Sequence, residues 1–378
     1  MRKVSPRGAR QRAVPGWAVV LGLLLTTVLL GWAPVARHVR AAELLQRLSE
    51  KAPTNAPRLA TEDVTIPGKS GPIRARLYFP AGAKPGRAIV VAHGVHYRGI
   101  DERRLVPFAR ALAESGLTVL TPELSELADY RITASGVEVI RDSVRYLLGR
   151  RDHVDAERVG VLGFSFAGGL ALVAAQDPET AAHVTSVTSV GGHHDLRRVL
   201  RFLIHNEIET PNGLVRQKAH EYGLVVLVYG NLEHFVPAPD LPAMRAGFQA
   251  WLHEDQKAAR AAAKARTTPE AERLWQLLEK GNLQTLAPEL DALLQAQSAA
   301  LKALSSAGHL KQLQVPVYLL HGSHDTVIPA SETDAAHLEL DGADHQALVS
   351  PLLEHVEMSK TAGLGDKLAL VSFMAKLL

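Results

Sequence analysis

The chain has 378 residues, of which 47% are hydrophobic and 21% are charged, so it can bury a full core and wholesale disorder is not expected. It contains no cysteine, which excludes disulfides, thiolate catalysis and cysteine-based zinc sites. The formal net charge is +3, but residues 1–40 hold seven basic residues and no acidic one, which leaves −4 for residues 41–378 and no basic surface suited to nucleic acid.

The N-terminal segment has the pattern of a membrane helix. No charged residue occurs between Arg12 and Arg37, a stretch of 24 residues, whereas about 20 apolar residues suffice to cross a bilayer. The stretch is longer than the apolar core of a signal peptide, and a small-residue cleavage site is hard to identify. We therefore expect residues 1–36 to form a basic region and a transmembrane or signal-anchor helix, with the folded domain outside the cytoplasm (periplasmic or extracellular). Secretion after signal-peptide cleavage, or a buried helix of the domain, are the alternatives.

Residues 37–60 are expected to form a short amphipathic juxtamembrane helix followed by a linker. Leu44, Leu45 and Leu48 recur at the spacing of one helical face. The prolines that follow them favour an irregular connection.

The chain then alternates strand and helix patterns over residues 61–195 and again over 312–378. Short uninterrupted apolar runs predict strands buried on both faces, and apolar residues at helical spacing predict helices between them. The predicted strands are Ile73–Phe79 at an edge, then Ala88–Ala92, Leu117–Leu120, Arg158–Leu162, Val184–Val190, Val315–Leu320 and Ala336–Leu340. This alternation predicts an α/β fold with a mostly parallel, doubly wound sheet.

The strand pattern disappears between the two parts of this core. Leucines at helical spacing occur at 274–278 and at 290–294. An insertion of this length after a parallel strand leaves the sheet at its carboxyl edge, where ligands bind in open α/β folds. We therefore expect residues 196–311 to form an all-helical cap over a site, and a helical domain for dimerisation or membrane contact is the alternative. The aromatic residues of this cap either line a pocket or fill the core of the cap itself. They are Tyr222, Tyr229, Phe235, Phe248 and Trp251.

The most informative segment is Gly163–Gly169, which reads GFSFAGG. A short apolar strand precedes it and a helix of small residues follows. A serine on such a strand-to-helix turn has a strained backbone and an exposed hydroxyl, and the N–H groups of the helix N-terminus face incoming negative charge. This arrangement suits Ser165 as a nucleophile that attacks a carbonyl group.

Two later segments complete the pattern. Asp325 and His345 each come just after a predicted strand. The order serine, aspartate, histidine along the chain is that of α/β hydrolases. Over roughly residues 60–195 and 312–378, the chain resembles the α/β-hydrolase superfamily, closest in style to its dienelactone-hydrolase and prolyl-oligopeptidase branch.

The resemblance implies a role for five residues. Ser165 matches the nucleophile, Asp325 the acid of the triad and His345 the general base that later protonates the leaving group. The backbone N–H groups of Phe166 and Val95 match the two donors of the oxyanion hole.

One position departs from the family pattern G-x-S-x-G. Ala167 stands where the pattern has its last glycine, and we expect the turn to survive because alanine adds only one methyl group. The resemblance implies no cofactor. A metal site is conceivable but not expected, because no H-E-x-x-H motif is present and loops of this fold often carry polar residues. The histidines that raise the question lie near predicted strand ends: His93, His96, His193, His194, His321 and His324.

We expect a serine hydrolase that cleaves carboxylic ester or thioester bonds of a small-molecule or lipid-like substrate through an acyl-enzyme. Amide hydrolysis fits less well, because the prolyl-peptidase relatives carry a large N-terminal β-propeller for which residues 1–60 leave no room. The alternative is a catalytically inactive envelope protein that kept the fold and uses its helical insertion to hold a partner or a lipid. The residues determine neither the acyl group nor the oligomeric state.

Overall fold

The computed structural model describes residues 35–48, 58–155, 157–210, 213–354, 357–358 and 363–378. The predicted membrane segment lies outside them, apart from its last two residues. Across the described ranges, no helix has both the length and the apolar composition that a bilayer crossing requires. The short amphipathic helix predicted at the start of residues 37–60 is present as α1, over residues 35–48.

An eight-stranded sheet forms the centre of the molecule. In chain order the strands of the protein are β1 (Leu59–Gly68), β2 (Gly71–Pro80), β3 (Ala88–Ala92), β4 (Thr118–Pro122), β5 (Val159–Phe164), β6 (Val184–Val190), β7 (Glu207–Thr210), β8 (Gly213–Arg216), β9 (Val317–Gly322), β10 (His345–Ser350), β11 (Leu353–Glu354) and β12 (Glu357–Met358). The order across the sheet is β1-β2-β4-β3-β5-β6-β9-β10. From β4 to β10 neighbouring strands run parallel, whereas β1 with β2 and β2 with β4 are antiparallel. The predicted mostly parallel sheet is confirmed.

Helices cover both faces of this sheet. After α1 they are α2 (Leu105–Glu114), α3 (Ser125–Ala128), α4 (Ala134–Gly149), α5 (Phe166–Ala174), α6 (Pro178–Ala182), α7 (Leu196–His205), α8 (Glu221–Tyr229), α9 (Leu241–Leu252), α10 (Gln256–Ala263), α11 (Pro269–Glu279), α12 (Ala287–Ala296), α13 (Ser298–Ala303), α14 (Ser331–Glu339) and α15 (Leu364–Met374). Short 3₁₀ turns lie at Gly99–Asp101, Leu232–His234, Ala238–Asp240, Leu283–Leu286 and Leu310–Gln312.

Two apolar layers result from the alternation of side chains along the strands. Val159 and Val161 of β5 point to the face covered by α4, α5 and α14. Leu162 of the same strand points to the opposite face, covered by α1, α2 and α15, and Phe164 packs there as well. Burial on both faces explains why the central strands are uninterrupted apolar runs in the sequence.

One predicted strand is wrong. Residues 336–340 belong to α14 and its C-terminus, with Ala336 and Leu340 buried and Leu338 63% exposed. Apolar residues four apart share a helical face, and the same residues also satisfy the alternation of a strand, so the pattern was ambiguous. The strand that pairs with β9 begins only at His345.

The insertion at residues 196–311 is mostly helical, as predicted, and runs from α7 to α13. It also contains an antiparallel hairpin formed by β7 and β8, so the prediction that it is all-helical is wrong in that detail. The hairpin was missed because its strands are only four residues long and β8 is exposed throughout, so neither carries an apolar run.

Most aromatic residues of the insertion fill its own core. Phe248 is fully buried, and its ring centroid lies 6.3 Å from that of Trp275. Trp251 meets the same ring edge-on at 6.0 Å. Tyr229 is also fully buried, and its hydroxyl donates a 2.7 Å hydrogen bond to Asp129 of the core. Tyr222 differs from these, because it lines the large cavity described below.

A buried carboxylate holds the start of the insertion. Glu332 of α14 has a side chain with 0% exposure. It accepts hydrogen bonds from the backbone N–H groups of His194, at 2.9 Å, and Asp195, at 2.8 Å. It also forms an ion pair with Arg198 in the first turn of α7. A buried carboxylate with this many donors is fully compensated, so it fixes the direction in which the chain leaves the sheet.

A second carboxylate of α14 holds the end of the insertion. Glu339 accepts from the backbone N–H groups of Gly308, at 2.9 Å, and Leu310, at 2.7 Å. Its Oε2 also lies 2.7 Å from Nε2 of His194. Burial alone would raise the pKa of Glu339, but the bonds from Gly308 and His194 hold that pKa below its ordinary value.

Candidate active site

Ser165 occupies a strained turn between β5 and α5. Its backbone has a φ of 54° and a ψ of −133°, a conformation that costs free energy for a residue with a side chain. Two backbone hydrogen bonds hold it there: the Ser165 N–H donates to Val190 at 2.7 Å, and the Gly168 N–H donates to Ser165 at 2.8 Å. This turn places the serine hydroxyl at the N-terminus of α5, where Ser165 is 5% exposed and lines the cavity described below.

Small residues on both sides of Ser165 permit the turn. A side chain at Gly163 would place its Cβ 2.2 Å from the carbonyl oxygen of Ala167, and one at Gly168 would lie 2.6 Å from Oγ of Ser189. Ala167 itself is fully buried without disturbing the turn. The expectation that alanine is tolerated at this position agrees with the structure.

The loop after β3 passes directly beside the serine. A Cβ built on Gly94 would lie 3.1 Å from Cβ of Ser165, so this glycine allows the loop to approach closely. Val95 follows and lines the same cavity as Ser165. On the other side, Phe166 is the first residue of α5, and its backbone N–H therefore has no acceptor within the helix. Both predicted oxyanion residues thus lie next to Ser165 along the chain or in space.

Asp325 lies just beyond β9, at the same edge of the sheet, and is 1% exposed. Its Oδ1 accepts from the backbone N–H groups of Val327, at 2.8 Å, and Ile328, at 3.0 Å. His321 packs 3.4 Å from Oδ2, and this ring is itself held by Thr333 and by the carbonyl of Ile328, each at 2.8 Å. The carboxylate is therefore fixed in position at this edge of the sheet.

His345 is not brought to this edge. It is the first residue of β10 and pairs with Val317, the first residue of β9. A strand of six residues spans about 17 Å, so His345 lies about one strand length from the edge that holds Ser165. Its Nε2 is 2.7 Å from Nδ1 of His337, and its Nδ1 donates to the carbonyl of Ala343 at 3.0 Å. The prediction that His345 is the general base is wrong. Residues 336–340, expected to form the strand before it, belong instead to the helix α14 and its C-terminus.

A cavity of about 1630 Å³ adjoins Ser165. The insertion contributes His220, Tyr222 and Val226 to its wall, and Tyr130 of the core lies beside them. Burial raises the pKa of Tyr222, so this phenol stays neutral. Residues of the insertion therefore line the same cavity as Ser165.

The histidines at the strand ends are bonded within the protein. His93 donates from Nδ1 to Gly94 at 2.8 Å and accepts at Nε2 from the Leu124 N–H at 2.9 Å, and burial lowers its pKa. His193 bonds the carbonyl of Leu304 through Nε2 at 2.9 Å, and burial lowers its pKa as well. In the part of the chain that the structure describes, no group of three or more histidine, aspartate or glutamate side chains is arranged to hold a metal ion.

The family model described as alpha/beta hydrolase fold matches residues 99–337. Among solved structures, a ligand-bound form of the rice cell wall degrading esterase LipA from Xanthomonas oryzae is 16% identical with a TM-score of 0.51, over 89% of this chain and 94% of that one. The hyperthermophilic esterase from the archaeon Pyrobaculum calidifontis is 19% identical with a TM-score of 0.48, over 90% of this chain and 88% of that one. No match is found among curated proteins. At 16% identity, the likeness to the Xanthomonas oryzae esterase shows a shared fold.

We predict that Gly163→Ala lowers the free energy of unfolding by about 2 kcal/mol or more, because the added methyl group would overlap the carbonyl of Ala167. Urea unfolding followed by circular dichroism measures this. Gly149→Ala is the matched control, because a Cβ there meets nothing within 4 Å, and we expect no loss of stability. Equal urea midpoints for Gly163→Ala and the wild type would contradict the account of the turn.

Proposed function

The chain belongs to the α/β-hydrolase fold family, and from the site at Ser165 we propose that it is a serine hydrolase that cleaves carboxylic ester or thioester bonds. The observation that carries the proposal is the strained turn of Ser165 at the N-terminus of α5, beside a large cavity. The family and the esterases among the similar folds support a hydrolase that acts on esters. Membership of the dienelactone-hydrolase and prolyl-oligopeptidase branch stays part of the proposal.

We propose a reaction in which Ser165 is the nucleophile. Oγ of Ser165 attacks the carbonyl carbon of the ester, and its proton passes to a histidine base. Negative charge then forms on the carbonyl oxygen, where the N–H groups of Phe166 and Val95 would donate hydrogen bonds. The histidine returns the proton to the departing alcohol or thiol, and the acyl group stays on Ser165 as an ester. Water attacks that ester by the same route and releases the acid.

We propose His355 as the general base in place of His345. Because β10 runs parallel to β9, the chain leaves β10 at the edge of the sheet that holds Asp325. His355 is the only histidine in the sequence after that point, and it keeps the order serine, aspartate, histidine. It lies outside the described residues, but Leu353, two positions earlier, lines the cavity of Ser165. Asp325 would orient its ring and stabilise its charged form.

We predict that a fluorophosphonate probe labels Ser165 in the purified protein. Ser165→Ala removes the nucleophile, so we expect it to abolish labelling and to lower ester turnover by a factor of about a thousand or more. Ser323→Ala, near Asp325, is the control and should keep both. Mass-spectrometric mapping locates the adduct. A well-folded wild-type protein that takes no label would favour a binding role for the fold instead.

The assignment of the base predicts a contrast between two histidines. We expect His355→Gln to lower kcat by about a hundredfold or more, since it removes the proton acceptor, and His345→Gln to leave kcat nearly unchanged. His324→Gln tests the exposed histidine next to Asp325, and we expect a small effect there as well.

The pH profile of kcat/KM tests the same assignment. A histidine base must be neutral to accept the proton of the serine, so activity should fall as the pH drops through roughly 6.5. Loss of activity in His345→Gln with retention in His355→Gln would reverse our assignment. A rate that is unchanged well below this pH would exclude a histidine base altogether.

We also propose that residues 1–36 anchor the protein in a membrane, with the hydrolase domain outside the cytoplasm. The support is the uncharged stretch of 24 residues between Arg12 and Arg37. We expect the full chain to stay with the membrane fraction during extraction at high pH, and a variant lacking residues 2–34 to be released. A soluble chain that begins near residue 40 would show signal-peptide cleavage instead, and a soluble chain that keeps Met1 would contradict both.

A further inference from the structure

The cavity at Ser165 continues onto the second face of the sheet. Leu162, Val190 and Leu320 line it, near the carboxyl ends of β5, β6 and β9. All three belong to the apolar cluster that packs against α1, α2 and α15. We call this part of the cavity, with its walls from these three strands and three helices, the apolar arm. Because Ser165 follows β5 directly, the arm begins next to the serine.

One wall of the apolar arm comes from α15 and the residues just after it. Leu370, Phe373, Met374 and Leu377 all line the cavity. The seven steps of helix-like rise from Leu370 to Leu377 extend over about 10 Å. Phe108 of α2 lines the cavity as well. An arm of this length with only hydrocarbon and thioether side chains from these helices suits an unbranched hydrocarbon chain.

The remaining wall of the apolar arm comes from α1. Leu45 and Leu48 line the cavity. Leu44, on the same face, is 1% exposed in the cluster below. An ion pair of 2.7 Å between Arg47 and Glu114, with side chains only 21% and 11% exposed, fastens the helix to the end of α2. The helix therefore closes the arm from outside and is held in place by both packing and charge.

The part of the cavity that the insertion lines adds polar groups to apolar ones such as Leu200, Leu203 and Val226. The polar residues on this side are His96, Tyr97, His220, Tyr222 and His253. Their ring nitrogens and hydroxyl groups can bond a polar alcohol group, whereas the residues named for the apolar arm offer no such partner. The two ends of an ester are thus given different surroundings on either side of Ser165.

We propose that the apolar arm binds the acyl chain of a medium- or long-chain fatty acid ester, and that Leu45 and Leu48 of α1 limit the chain length. This inference rests on the proposed function of Ser165. Both α1 and α15 lie outside residues 99–337, the part of the chain that the family model matches, as do β1, β2, β3 and β10 of the sheet. The N-terminal helix is then part of the substrate site and not only a connection.

The test is a series of p-nitrophenyl esters from acetate through butyrate, octanoate and laurate to palmitate. We expect kcat/KM of the wild type to rise from acetate to octanoate or beyond. Leu48→Trp fills the arm, so we expect it to lower kcat/KM for the long esters by about tenfold or more while that for acetate stays within about twofold. Val39→Trp, on the exposed side of the same helix, is the matched control and should change neither.

The outcomes separate the substrate inference from the proposed function. If Ser165 takes the fluorophosphonate label but the wild type prefers acetate, or if Leu48→Trp lowers all esters equally, the arm does not hold the acyl chain. If acetates of long-chain alcohols show the dependence on Leu48 instead, the arm holds the alcohol and our orientation is wrong. If Ser165 takes no label, the proposed function itself fails. Should Leu48→Trp not fold, Leu45→Phe makes a smaller change in the same wall.

Discussion

At the turn between β5 and α5, neighbouring atoms come so close that a side chain at either of two glycine positions would overlap them. The carbonyl oxygen of Ala167 occupies the space where a side chain of Gly163 would lie, and Oγ of Ser189 occupies that of Gly168. The close approach at Gly163 is made by the backbone of Ala167 and not by its side chain. This is why a methyl group at position 167 is tolerated although the family pattern has glycine there, whereas Gly163 is required.

The rest of the site is arranged around this turn by the parallel sheet and by one helix. Parallel strands deliver Ser165, the loop of Gly94 and Asp325 to the same edge, without any of them being near the others in sequence. The helix α14 then supports three parts of the molecule. Its two carboxylates, Glu332 and Glu339, hold the start and the end of the insertion, and Thr333 bonds His321, which packs against Asp325. The insertion and the Asp325 carboxylate are therefore fixed by the same element.

The sequence correctly predicted those strands, helices and turns whose residue pattern fits only one type of local structure. Solid apolar runs between helical patterns gave the parallel sheet, and the small residues around Ser165 gave the turn. The strand predicted for residues 336–340 was wrong, because apolar residues two and four positions apart fit a strand and a helix equally well. That error placed a strand directly before His345 and led to its assignment as the base. Residues 347–350, a short apolar run, were the available signal for β10.

Other features were not readable from local pattern. The hydrogen bonds by which α14 holds the insertion join residues that are far apart in sequence. Glu332 and His194 are separated by more than 130 residues, and no short-range motif can indicate such a contact. The amphipathic helix α1 was predicted from its leucines, but its place against α2 and α15 depends on tertiary packing. A single helical face shows that a partner surface exists and does not identify which surface it is.

The central claim is that Ser165 forms an acyl-enzyme with a fatty ester. The most direct measurement is the intact mass of the full chain after mixing with p-nitrophenyl octanoate and acid quenching within the first turnover, followed by peptide mapping. Our account predicts a mass increase of one octanoyl group, located on Ser165 and absent in Ser165→Ala. Steady ester cleavage with no acylated protein at any quench time, or an acyl group on another residue, would contradict it.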